Sequence, residues 1–208
     1  GGPDADYENV FAEKIVWVKG MSGSERRLAF RRGDLAATRE NPAAYKKHVE
    51  PVIAEGKAYT WFHHGLLDVA TGNHVKDPNF TEPTLEALYE ERWGVAPSGD
   101  FYDAYKLVKS WRDALQKAFW VNAGNPNKDK LVDALNKMLM DPDSVAAIEK
   151  KVGKYEWRTG VDGDNAVKTL KTFITPEALK TLSDFGKKQL GINSIYKEEL
   201  TQKWIDPN

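Results

Sequence analysis

Lys14-Ile15-Val16-Trp17-Val18-Lys19-Gly20-Met21-Ser22-Gly23-Ser24-Glu25 is the stretch on which the expected fold turns. Its first half is rich in β-branched and aromatic residues and stops at Gly20, which reads as a strand buried on both faces. Ser22 and Glu25 then stand at the S-x-x-E spacing of a capping box, so a helix should begin just after Ser22 and turn Leu28, Ala29 and Phe30 inward. Gly33-Asp34 ends that helix. Strand, Gly/Ser loop and helix N-terminus together make one βα unit.

Working outward, the unit repeats. Leu35-Ala36-Ala37-Thr38 reads as a second short strand, Arg39-Glu40-Asn41 as a loop, and Pro42 as a first helical position. Tyr45, Val49, Val52 and Ile53 recur at roughly helical spacing; Pro51 should kink or end the regular part and Gly56 should stop it. Ala58–Phe62 is a third strand candidate. Three strands alternating with helices predict an open parallel sheet, whose right-handed crossovers would bring the loops Gly20–Ser24, Arg39–Asn41 and His63–Gly65 to one edge. Leu66–Glu82 is a loop or hairpin, a helix follows Pro83, and Gly94–Gly99 is a break. A longer amphipathic helix fits Phe101–Lys117 through Tyr105, Val108, Trp111 and Leu115. Ala118–Ala123 reads as a buried strand. Helices open after Asn125-Pro126-Asn127, with a Leu131, Leu135, Met138, Leu139 stripe, and after Asp141-Pro142. Tyr155–Arg158 reads as a last strand and the remainder as helical. The expected class is α/β.

Composition narrows the chemistry. The chain has 208 residues, 41% of them apolar, enough for one domain or two small lobes. With 30 Lys and Arg against 31 Asp and Glu the formal net charge is −1, without the positive excess that a phosphate backbone attracts, so no nucleic-acid partner is expected. The absence of cysteine removes disulfides, thiolate nucleophiles and thiolate metal sites. No apolar run reaches the ~18 residues that span a bilayer, and the first residues show neither a basic n-region nor an apolar h-region.

Among short motifs, Gly20–Glu25 is the best candidate for chemistry. A helix N-terminus offers unpaired N–H donors at the positive end of a dipole, and Gly20 and Gly23 let a ligand approach the backbone beside Ser22 and Ser24. The alternative is that Ser22 merely caps its own helix. The loop lacks the Lys-Ser/Thr of a P-loop and the third Gly of a dinucleotide fingerprint. Arg26, Arg27, Arg31 and Arg32 cluster on this helix and could read as an anion patch, but with Glu25 and Asp34 beside them they are expected to form a solvated helix face. Arg39, at a strand end, is placed to grip a carboxylate bidentately or to pair with Glu40 or Glu50. His63-His64 invites a ligand or acid–base reading, but neighbours in an extended segment face opposite ways, and no metal set or G-x-S-x-G elbow accompanies them. No metal, cofactor or catalytic residue is expected. Of the seven tryptophans, Trp61 is the pocket candidate and Trp17, Trp111, Trp120 and Trp157 the core candidates.

Four stretches taken together, KIVWVKGMSGSERRLAFRRG (14–33), NPAAYKKHVEPVIAEG (41–56), DPNFTEPTLEAL (77–88) and FWVNAGNPNKDKLVDALNKMLMD (119–141), resemble the later part of the substrate-binding proteins of tripartite tricarboxylate transporters, also called Bug receptors. The resemblance runs over about residues 10 to 175 in order and spacing. It implies a periplasmic-binding-protein type II-like fold, here partial, with one ligand-binding lobe (1–115) and a strand return with C-terminal helices of the second lobe (116–208). It implies a non-catalytic periplasmic receptor that captures a small organic anion, commonly a carboxylate, and hands it to membrane permease subunits. By position the ligand-contacting residues would be Gly20, Ser22, Gly23, Ser24, Thr38, Arg39, Glu40, Asn41 and His63, at the strand edge where open α/β sheets bind ligands. Glu40 is unfriendly to an anion unless Arg39 neutralises it. The family carries a further lobe segment before the position of Lys14, so the chain is expected to be a piece of such a receptor or a rebuilt one, associating with the missing lobe or with a second copy. The other class of function is an interaction module on the same scaffold that has lost its cleft and binds a partner chain.

Overall fold

The computed structural model describes residues 16, 18–115 and 117–191. Within them helices dominate, accompanied by one small sheet, so the chain mixes helix and strand as its sequence leads one to expect. Helix α1 (Gly23–Arg32) begins where the capping box places it: Ser22 Oγ accepts from Glu25 N at 3.3 Å while Glu25 Oε2 accepts from Ser22 N at 2.7 Å, and Gly33 closes the other end. Asn41 caps α2 (Pro42–His48) through Ala44 N. The expected interruption near Pro51 is a break at Val49, after which α3 (Glu50–Ala54) runs toward Gly56.

A two-residue antiparallel hairpin follows, β1 (Leu66–Leu67) paired with β2 (His74–Val75). Gly65 precedes β1 and lies against the end of β2: its φ is +71°, and a Cβ there would lie 2.4 Å from the Val75 carbonyl oxygen. His63 forms a parallel bridge with Thr84, which also caps α4 (Leu85–Trp93) through Ala87 N. The remaining helices are α5 (Asp100–Ala114), α6 (Lys128–Met140), α7 (Pro142–Val152), α8 (Gly160–Thr172) and α9 (Pro176–Leu190). Asp141 and Thr175 cap α7 and α9 from the extended conformation, each followed by proline.

The expected parallel sheet is not formed among the described residues. Leu35–Thr38, Ala58–Phe62, Ala118–Ala123 and Tyr155–Arg158 contain no strand, and Val16, Val18 and Lys19 have no regular structure. Lys14, Ile15 and Trp17 lie outside the described residues. The reason is pairing: a β-prone run becomes a strand only when a neighbour takes its N–H and C=O groups. Among the described residues these runs have no ladder partner, and several of their large side chains face solvent, Val16 being 89%, Tyr59 83% and Trp120 72% exposed. Trp120, a core candidate by sequence, is thereby corrected to a surface residue.

Two helix faces also differ from expectation. In α1 Leu28 is exposed and Ala29 is buried, because Arg26, Ala29 and Phe30 share the i, i+3, i+4 face that turns inward. In α5 Val108 is exposed while Ala104, Leu107, Lys109 and Ser110 are buried. The small Ala104 and Ser110 let other elements approach closely, which rotates the buried face by about one residue from the aromatic stripe.

The chain divides into two compact units, each assembled from separated stretches, whereas a single division at 115/116 is the expectation from sequence. One contains residues 61–119 and, from 161 onward, the later helices. Its core is α5 packed along α9, with α8 anchored by Trp111 Nε1 donating to the Leu170 carbonyl at 3.0 Å; Leu170, Ala166, Ala178, Leu67 and Tyr89 are buried there. The other contains residues 18–60 and 120–160, with α2 against α3 and α6 against α7; Ala29 and Val52 are its buried apolar residues among those described.

Candidate functional site

Eight of the nine residues singled out by sequence lie in the 18–60/120–160 unit, and His63 lies in the other. Ser22 is engaged with its own helix. The reciprocal Ser22–Glu25 bonds satisfy two donors of the first turn, and hydrogen bonds from the Ser22 hydroxyl and backbone hold the Glu25 carboxyl below its usual range. A carboxylate from the chain itself therefore already occupies the positive end of α1. Asn41 likewise spends its side chain on α2. Gly20 has φ +85° with open space where a Cβ would stand, so it leaves the backbone before α1 accessible.

The charged centre of this region is made by residues expected to be solvated. Arg26 Nη2 and Arg27 Nη1 donate to Glu40 Oε1 at 3.3 and 3.4 Å, and the Glu40 side chain is only 4% exposed. Arg27 also folds back onto the first turn, donating to Ser24 Oγ at 3.4 Å across Gly23, where a Cβ would come within 3.3 Å of the guanidinium. Arg31 and Arg32 are exposed, so the solvated face holds for them and is corrected for Arg26 and Arg27. The physical reason is Glu40: burying its carboxylate requires charge-assisted donors, and two guanidiniums one turn into α1 supply them. Arg39 is exposed, and Glu40 takes its partners from α1 instead.

Two guanidiniums against one carboxylate leave one positive charge in excess. Moreover, Arg26 Nε and Thr38 Oγ1 are buried and have no hydrogen-bond partner among the described residues. Buried polar atoms are normally satisfied, so each orphan, and above all the cationic donor Arg26 Nε beside Glu40, marks a place able to accept a further polar group. An anion patch including Arg26 and Arg27 is a reading the sequence offers, but their partner Glu40, fourteen and thirteen residues away, is brought to them only by the tertiary fold.

The other unit carries a second buried polar cluster that sequence reasoning missed altogether. His74 Nδ1 bonds Glu86 Oε1 at 3.1 Å, His74 Nε2 bonds Ser110 Oγ at 3.1 Å, and Tyr102 donates to the same Glu86 oxygen at 3.3 Å. Burial pushes the Glu86 carboxyl up, but the bonds from His74, its own backbone N–H and Tyr102 prevail and hold it low. Carboxylate, imidazole and hydroxyl in this order form the relay used in acyl transfer. Ser110 is 0% exposed inside α5, so its hydroxyl presents no face to a substrate and the relay joins β2, α4 and α5.

His63 and His64 diverge as neighbours in an extended segment should. His63 Nδ1 accepts from Gly65 N at 2.9 Å, its ring stacks on Phe80, and burial lowers its pKa, which fits a neutral ring protonated at Nε2. His64 Nδ1 pairs with Tyr105 Oη at 2.8 Å. Among the described residues no group of three or more metal-ligating side chains converges, and no helix is long and apolar enough to cross a membrane. Compared with known protein families, curated proteins and solved structures, the chain matches none.

Proposed function

We propose that this chain is a non-catalytic receptor for a small organic anion, a carboxylate, gripped by Arg26, Arg27 and Thr38 beside Glu40. The observation that carries the reading is the buried, unpartnered Arg26 Nε in a cluster of two guanidiniums against one carboxylate; Thr38 Oγ1 is a second buried polar atom with no hydrogen-bond partner among the described residues. A carboxylate would supply the acceptor that Arg26 Nε lacks and balance the charge; Gly20 and exposed Arg39 border the approach in sequence. Glu40, buried and doubly paired, then serves to fix the guanidiniums rather than to repel the ligand. The reading keeps the partial periplasmic-binding-protein type II-like architecture, the periplasmic setting and delivery to a membrane permease as parts of the same proposal. Passage of the chain between two units at 60/61, 119/120 and 160/161 suits a receptor built of two units. The test is thermal denaturation with acetate, succinate and benzoate: saturable stabilisation is expected, at about 2–4 °C per kcal/mol of binding energy. Loss of that stabilisation in Thr38→Val is expected, and a flat response of the unsubstituted protein to all three acids would refute the proposal.

One observation favours a second reading, an interaction module. Tyr59, Trp120 and Val121 are exposed on extended, β-prone segments of one unit that lack strand partners among the described residues. Such segments suit pairing with a strand of another chain. Concentration-dependent association in sedimentation velocity, unaffected by carboxylates, is the outcome this reading expects.

A further inference from the structure

We propose that His64 is an acid-sensitive latch that holds the segment Trp61–Gly65 onto α5 and releases it on protonation. This goes beyond anion capture and does not depend on it. Trp61 is where the chain enters its unit from residue 60, so the segment is the first structure formed after the passage. Its fastenings include His63 N donating to the Pro83 carbonyl at 3.0 Å, Leu85 N donating to the His63 carbonyl at 3.2 Å, the His63 ring stacked on Phe80, and His64 Nδ1 paired with Tyr105 Oη at 2.8 Å. The last of these is a side-chain bond to α5. Phe62 packs its ring edge-on to the His64 imidazole, with centroids 5.4 Å apart.

Most of the surroundings disfavour a cation at His64. On α5 stands Lys109, buried and paired with Asp113; on β2 stands His74; on the segment itself stands His63. Glu86 of α4 is the carboxylate acting on it, and its Oε1 is already taken by His74 and Tyr102. Burial, reinforced by Lys109, accordingly lowers the His64 pKa to about 4. For a histidine depressed in the fold, the stabilisation is fully present above the ordinary value of 6.5 and is lost as pH falls from there toward 4. Between pH 6.5 and pH 4 the equilibrium for release should rise by about 80-fold.

Hydrogen–deuterium exchange read by peptide, corrected for intrinsic pH dependence, tests this on the full chain. Peptides covering residues 58–67 should lose protection between pH 6.5 and 4 while those from α8 and α9 keep theirs, and His64→Gln, which retains a hydrogen bond without titrating, should hold protection flat across the same range. Equal loss in His64→Gln, or no loss in the unsubstituted chain, overturns the proposal. An NMR titration of the His64 ring in the unsubstituted chain stands independently of the variant's folding: an inflection well below 6.5 that coincides with release supports the latch, and one near 6.5 overturns it.

Discussion

Arg26 and Arg27 show how one buried acid redirects its neighbours. Glu40, 4% exposed, draws both guanidiniums onto itself, and what would have been a solvated stripe becomes an inward-facing charged cluster. Replacing Glu40 with Gln leaves two adjacent cations without their counter-charge, so a loss of about 1–3 kcal/mol is expected in urea denaturation. Arg31→Gln, on the exposed part of the same helix, should stay within about 0.5 kcal/mol. At this scale the sequence was legible wherever partners are near in the chain. The Ser22–Glu25 box and the Asn41 and Thr84 caps connect residues three apart, and spacing alone exposes them. Glu40 with Arg26, and His74 with Ser110, are joined across fourteen and thirty-six positions and left no local signature.

Elements follow the same division. Helix starts could be read where the signal is local: α1 begins after Ser22, α4 soon after Pro83 and α7 after Asp141, while the Thr175 cap of α9 lies in a stretch read only as helical. Strands could not, since a ladder is a property of two segments, and apolar runs such as Ala58–Phe62 look alike whether paired or not. The hairpin within Leu66–Glu82 was foreseeable from its Gly and Asn content, and Gly65 is its most exacting position. Gly65→Ala combines a positive φ with a Cβ 2.4 Å from a carbonyl oxygen, so we expect more than about 2 kcal/mol of destabilisation and loss of protection at Leu67 and His74. A substitution that left thermal stability unchanged would show that the backbone at Gly65 relaxes freely.

For the whole molecule, composition correctly anticipated a chain able to bury a core, but not where that core lies. The α5–α9 pairing gives one unit most of the buried apolar residues, while the other holds its elements with Ala29, Val52 and polar contacts such as Thr159 Oγ1 to Asn136 Oδ1 at 2.5 Å. Less apolar burial means less stabilisation, so the 18–60/120–160 unit should be the first to lose exchange protection in urea. A bound anion at Arg26 and Thr38 would act on that weaker unit, coupling ligand capture to its order.

The most direct measurement is isothermal titration calorimetry of the chain with benzoate and succinate, alongside Arg26→Gln and Arg31→Gln. The account predicts saturable binding near one site per chain that Arg26→Gln removes and Arg31→Gln leaves intact. Binding that survives Arg26→Gln unchanged, or no binding of either acid, would contradict it.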